Sequence, residues 1–266
     1  MATSPAPSFA TSTTSPYASG DALSAPGLTP AFSPLYQQIK GLILQSLQSG
    51  EWKPGEAIPS EMDLAARFRV SQGTVRKAID ELAAENLVDR KQGRGTFVAT
   101  HNEDKSQYRF LRLASDSDEQ ARPRSEYVDV EKVRANSVIA KLLDINPNDP
   151  VFVVKRVLSF GDQPHIFDEI WLPGQQCKGL SLERLQSWNS TLYAFLEAEF
   201  GMRMLRATEK IKAVSAGLEH SRRLRVPEGT PLLLVERLSM TYSDKPVELR
   251  RGWYLTEGFS YRNELY

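Results

Sequence analysis

The spacing of apolar positions changes several times along the chain, and each change marks an element. Residues 1–33 have no period: they are almost entirely Ser, Thr, Ala, Pro and Gly, with Asp21 the only charge. Such a segment buries too little apolar surface to offset the entropy of ordering it, so a disordered tail is expected. It lacks the basic and continuous apolar regions of a secretory signal. From Pro34 onward, Leu35, Ile39, Leu42, Ile43 and Leu47 recur at helical spacing, and Gly50 follows as a terminator. After a turn at Trp52-Lys53-Pro54-Gly55, Ser60 and Asp63 form a capping-box pair opening a short helix with Leu64, Ala65 and Phe68 inward. Arg69-Val70 ends it. Ser71 caps a third helix with the stripe Val75, Ala78, Ile79, Leu82. Leu87-Val88 and Thr96-Phe97-Val98 then flank Lys91-Gln92-Gly93-Arg94-Gly95, a hairpin with a basic, glycine-rich tip.

Residues 101–124 are polar and charged and read as a linker between a domain at 34–100 and another at 125–266. In the second domain, 128–133 and 206–214 alternate as strands, while 138–143, 190–200 and 218–224 read as helices. Segments 151–160 and 166–172 form one hairpin, and 231–242 and 247–255 form another. The hairpins resemble each other. Val154-x-Arg156, Asp162-x-Pro164 and Trp171 recur as Val235-x-Arg237, Asp244-x-Pro246 and Trp253, offset by 81 residues before the turn and 82 after it. Either the hairpins are a pseudo-symmetric pair in one antiparallel sheet, or common strand residues coincide.

Composition narrows the classes. Among 266 residues, 41% hydrophobic content is enough for real cores, and no run approaches the roughly 18 apolar residues of a membrane span. Cys177 has no second cysteine to pair with, which excludes a disulfide scaffold and points to a reducing cytoplasm; it is expected as an inert thiol near a surface turn. The balance of 33 basic against 33 acidic residues excludes a generally sticky polycation. Local charge differs: from Arg67 to Phe97, seven basic residues face four acidic ones.

That basic stretch carries recognition chemistry. Two short helices, a tight turn and a basic hairpin compose a winged helix-turn-helix, whose second helix must bring its N-terminal residues to base edges in the major groove. Ser60, Ser71 and Thr74 suit phosphate oxygens at helix starts, and Gln72 suits adenine. Arg76 suits guanine, and Gly73 permits close backbone approach. Arg69 and Lys77 add positive charge. In the wing, Gln92, Gly93, Gly95 and Thr96 shape the tip, and Arg94 suits the minor groove or phosphate.

The segment Leu35 to Val98 resembles the GntR-type winged-helix domain of bacterial transcription regulators. The resemblance is carried by Ile58-Pro59-Ser60-Glu61, Val70-Ser71-x-x-Thr74-Val75-Arg76 and Gln92-Gly93-x-Gly95-Thr96-Phe97. It implies DNA contacts at Ser71, Thr74, Arg76 and Gly93. Met62 and Gln72 stand where many members carry arginine, which implies a different operator preference. The region from about Tyr127 to Tyr261 resembles the effector-binding domain of the HutC-type branch, also called UTRA, similar in fold to chorismate lyase. That resemblance rests on Val154-Lys155-Arg156, Trp171-Leu172-Pro173, Thr191-Leu192-Tyr193, Val226-Pro227-x-Gly229-Thr230-Pro231 and Pro246-Val247-Glu248.

The resemblance implies an α+β protein: an N-terminal winged helix and a C-terminal six-stranded antiparallel sheet with helices, working as a homodimer on double-stranded operator DNA. It also implies a small-molecule effector, a carboxylate or an amino- or hydroxyl-bearing metabolite, touched by Arg156, Asp168, Thr191, Glu248 and Tyr254. Leu158 stands where sugar-phosphate binders have a second arginine, which weakens a phosphosugar reading. A repressor released or retuned by its effector is the leading expectation. A chorismate-lyase-type enzyme with an appended DNA-binding domain is the alternative, and a constitutive architectural DNA binder is a third. His101, His165 and His220 are far apart without metal-ligand spacing, no catalytic nucleophile order is present, and no cofactor or metal is expected.

Overall fold

Ser60 and Ser71 decide where the second and third helices begin. The side chain of each accepts a hydrogen bond from the backbone N–H three residues on, and the Asp63 carboxylate accepts one from the Ser60 N–H, completing the box. The computed structural model describes residues 33–101, 110–117 and 122–263. Apart from Ser33, the expected tail lies outside them. Helices α1 (Leu35–Gln48), α2 (Glu61–Phe68) and α3 (Gln72–Ala84) precede a hairpin of β1 (Val88–Lys91) and β2 (Gly95–Val98). Arg69 ends α2 in the left-handed region at φ 54°, which aims α3 away from α2. The core gathers Ile39, Ile43 and Leu47 of α1, Leu64 of α2, the α3 stripe Val75, Ala78, Ile79 and Leu82, and Val98 of β2. Leu35 and Leu42 depart from the expected stripe and are exposed, because the buried line runs through Ile39, Ile43 and Leu47.

The second half is built on a sheet of β4 (Arg124–Arg134), β5 (Pro150–Phe160), β6 (Gln163–Pro173), β7 (Arg206–Ser215), β8 (Pro231–Met240) and β9 (Pro246–Tyr254). Every pair is antiparallel and the order is β4-β5-β6-β9-β8-β7. The hairpins are a pseudo-symmetric pair. Helices α4 (Ser137–Leu143) and α7 (Leu218–Leu224) occupy equivalent places, and their connections repeat at the same offset. Ala135 N–H donates to Asp149 O while Asn148 N–H donates to Ala135 O; Ala216, Thr230 and Gly229 repeat both bonds. Pro150 and Pro231 then open equivalent strands.

The two sheet faces have different roles. Strand residues alternate between them. On one face, Ile139 and Leu143 of α4 pack on Val151 and Leu249, and Leu224 of α7 packs on Val157, Phe167 and Leu255. On the other, α5 (Leu182–Gln186) and α6 (Leu192–Phe200) bring Leu185, Leu192, Phe195 and Leu196 onto Val154, Ile170 and Leu172. The far end of that face is covered by a two-stranded ribbon, β3 (Leu113–Ser115) with β10 (Phe259–Tyr261), packed on Leu158, Ile166, Val235 and Tyr254.

Three features escaped the sequence pattern. β3 lies inside the stretch expected as linker, and it forms because its partner β10 is near the other end of the chain. Helix α5 is too short to show a period. Cys177 is buried in the sheet–helix core, not near the surface: its Sγ lies 3.2 Å from Met202 Sδ, and burial pushes its pKa up to about 12.

Leu35–Tyr266 form one compact unit. Leu205, just before β7, joins the winged-helix core, and Tyr242 packs against the same cluster.

Candidate nucleic-acid interface and ligand cavity

The start of α3 is open to solvent. Ser71, Gln72, Gly73, Arg76 and Lys77 are exposed, and Thr74 is half-buried with its hydroxyl 2.8 Å from that of Ser71. Glu61 organises the cluster. Its carboxylate accepts Arg76 Nε at 2.9 Å and Gln72 Nε2 at 3.2 Å, and lies 3.3 Å from Arg90. Glu61 was not singled out from sequence, although the Pro59-Ser60-Glu61 run contained it. A Cβ at Gly73 would meet nothing closer than Ser71 Oγ at 3.9 Å, so the fold itself does not require glycine there. Ser60 and Arg69 are exposed at the two ends of α2. Lys77 is drawn aside, its ammonium 4.0 Å from the Tyr36 ring centroid.

In the wing, Gly93 and Gly95 have φ of 70° and 106°, the backbone that lets Gln92-Gly93-Arg94 turn tightly. Arg94 and Lys91 both lie over Phe97, and Thr96 pairs with Arg90 while its carbonyl accepts Ile58 N–H.

Between the α5–α6 cover and the β3–β10 ribbon lies a cavity of about 690 Å³. Of the five residues expected to touch an effector, Arg156, Thr191 and Tyr254 line this cavity and Asp168 and Glu248 do not. Those two carboxylates are fully buried behind arginines. Asp168 Oδ2 accepts Arg156 Nε at 2.9 Å and lies 2.9 Å from Arg156 Nη2 and 3.6 Å from Arg250 Nη1; Glu248 Oε1 accepts Arg250 Nε at 2.8 Å. Gly252 makes this possible, since a Cβ there would stand 2.7 Å from Asp168 Oδ1 and 2.5 Å from the Tyr254 ring. Arg237 and Arg250 also line the cavity and were missed. The internal repeat carried the signal for Arg237, which is the counterpart of Arg156.

Burial works against the charges of Arg237 and Arg250, but tyrosines and carboxylates around them raise both pKa values and keep them cationic. Burial also pushes the Tyr254 hydroxyl up to about 12, so it stays protonated and can donate.

One helix links this cavity to the winged helix. Tyr193 and Glu197 lie four residues apart on one side of α6. Tyr193 faces the cavity, under the Arg250 guanidinium at 5.2 Å. Glu197 is buried and accepts Thr100 Oγ1 at 2.6 Å, His101 N–H at 2.9 Å and Arg203 Nε at 3.0 Å. Arg203 also donates to the Ala99 carbonyl and the Tyr242 hydroxyl, and the His101 ring lies 5.5 Å from that of Tyr193. The chain leaving β2 is thereby tied to the helix that walls the cavity.

Among the described residues, no cluster of His, Cys, Asp and Glu is arranged to hold a metal, and no helix is long and apolar enough to cross a membrane.

Comparison with known proteins agrees with both halves. Residues 35–98 match the model of bacterial regulatory proteins of the gntR family, and residues 118–260 match the UTRA domain. The chain is 30% identical over 234 residues to the mannosyl-D-glycerate transport/metabolism system repressor MngR of Escherichia coli, covering 86% of this chain and 94% of that one. It is 24% identical to the transcriptional repressor NagR of Bacillus subtilis over 86% and 93% of the two chains. Among solved structures, it resembles a ligand-binding domain assigned to a GntR-family regulator of Bordetella bronchiseptica. That domain is 43% identical, has a TM-score of 0.59, and matches over 60% of this chain and 99% of its own length. Exposed recognition helix, arginine-floored cavity and matched family models converge: the chain belongs to the GntR family with a UTRA domain, and is a ligand-responsive DNA-binding transcription regulator, not an enzyme.

Proposed function

We propose that the protein is a cytoplasmic repressor of the HutC-type branch that binds a near-palindromic operator as a homodimer and is released or retuned by a small anionic metabolite. The observation that carries the DNA half is the exposed start of α3, where Glu61 presets Arg76 and Gln72 beside a glycine the fold does not need. Gln72 and Arg76 read base edges. Ser60, Arg69, Ser71, Thr74 and Lys77 take phosphates, and Gln92, Gly93, Arg94, Gly95 and Thr96 place the wing on the neighbouring backbone. Two copies related by a two-fold axis read two half-sites.

The effector occupies the cavity, with Arg156 on its anionic group and Thr191 and Tyr254 donating hydroxyl bonds. Asp168 and Glu248 hold the arginines and do not touch the ligand. Binding shifts Tyr193 and α6, and through Glu197 changes the footing of Thr100 and His101, and with it the placement of the winged helix. A mobility-shift titration of genomic operator fragments tests the DNA half. Arg76→Ala weakens binding by about 10- to 100-fold, the worth of one good bidentate base contact; unchanged binding refutes the assignment.

A further inference from the structure

We propose, resting on the effector reading above, that the cavity takes a ligand with two anionic groups and that Arg237 receives the second. The internal repeat puts β5 and β8 in equivalent positions flanking β6 and β9, so Arg156 and Arg237 are related by a pseudo-two-fold axis through the middle of the sheet. Helices α4 and α7 share one face, so the axis runs through the sheet and leaves the opposite face opposite: both arginines rise from the cavity floor. Arg250 stands between them, directly across from Arg237 in the ladder and sharing Asp168 with Arg156.

Each guanidinium is held from behind and borders the cavity. Arg156 is held by Asp168, and Arg250 by Glu248 at 2.8 Å. Arg237 is held by Glu209, which accepts its Nε at 2.6 Å, and by the Phe110 carbonyl. Nη1 of Arg156, Nη1 of Arg237 and Nη2 of Arg250 have no hydrogen-bond partner among the described residues. A guanidinium fixed by a carboxylate at its rear, with a free N–H edge, is a preorganised anion receptor.

The floor carboxylates have their charge dispersed further. Glu209 also accepts the Tyr261 hydroxyl, and Glu248 accepts that of Tyr193 at 3.3 Å. Among the lining residues, Arg122, Arg124, Arg156, Arg237 and Arg250 stand against Glu126 alone. Three inter-strand steps of about 4.8 Å separate β5 from β8, roughly 14 Å between backbones. Two anionic groups on a short spacer span that separation, one at each arginine, with Tyr193 and Tyr254 lining the space between.

The full-length protein is titrated by thermal shift and calorimetry, at matched ionic strength, with succinate, glutarate and adipate against hexanoate. Glucose 1,6-bisphosphate against glucose 6-phosphate forms a second arm that separates carboxylate from phosphate. At least one compound with two anionic groups binds about ten-fold or more tightly than its counterpart with one. That preference collapses in Arg237→Gln and returns in part in Arg237→Lys. Equal binding of compounds with one and with two anionic groups, or a preference that survives Arg237→Gln, overturns the two-anion assignment while the effector cavity stands. A protein that responds to none of the six compounds overturns both. If the glutamine variant does not fold, Arg237→Lys decides alone: the loss of the planar fork lowers the preference several-fold, and an unchanged preference refutes the proposal.

Discussion

The recognition helix and the cavity floor hold their arginines in the same way, yet the pairs are not equivalent. Arg76 meets Glu61 at 2.9 Å and Arg156 meets Asp168 at 2.9 Å. The Arg76 side chain is 56% exposed and that of Arg156 is 9% exposed. In water the first pair is screened and worth about 1 kcal/mol or less, so DNA phosphates can compete for Arg76 at little cost. The second pair sits where an unmatched charge is expensive, so it stays formed and presents a fixed surface to a ligand. One region is built to exchange partners, the other to keep them.

Removing one buried partner at the joint breaks this contrast hardest. Glu197→Leu takes the carboxylate away from the buried Arg203 guanidinium and from the Thr100 hydroxyl and His101 N–H, destabilising the fold by about 3–5 kcal/mol, read as a fall in melting temperature. By contrast, Arg76→Ala leaves the melting temperature within the span of about 0.5 kcal/mol, for all its effect on DNA. A loss as large as that of Glu197→Leu would erase the distinction.

Gly73→Ala sharpens it further by splitting the two readouts. The added methyl group has room and favours the helix, so stability rises by up to about 1 kcal/mol while operator affinity falls. A rise in both would remove the reason given for glycine at that position.

The smallest effect concerns pH. Burial holds His165 and His220 below the ordinary histidine value of 6.5. Their folded forms therefore resist protonation, and the stability they supply is complete above about pH 6.5 and lost as pH falls through their lowered values. The double variant His165→Gln, His220→Gln flattens the dependence of melting temperature on pH between about 7 and 5 by a degree or two.

Local signals were legible in the sequence where the physics is local. Caps at Ser60 and Ser71 and the glycine tip at Gly93 and Gly95 work within three or four residues, and all appear where expected. The six-stranded antiparallel sheet that the family resemblance implied is also present. The ribbon of β3 and β10 was not legible because its partners are far apart in the chain and its strands are three residues each. The five expected effector residues divided according to depth: arginine, threonine and tyrosine reach the cavity, while Asp168 and Glu248 stop behind them. A residue pattern places a side chain on a face; it does not say how far along that face another side chain covers it. Arg237 was visible only through a repeat that spans a third of the chain.

The burial of Leu205 in the winged-helix core has a thermodynamic consequence. A module that borrows part of its interior from its neighbour cannot melt alone without exposing that neighbour's residue. Heating should therefore give one cooperative transition instead of two, and substitutions that loosen the sheet near β7 should lower the temperature at which DNA binding is lost. Ligand and operator would then report on a shared stability, each protecting a region it never touches.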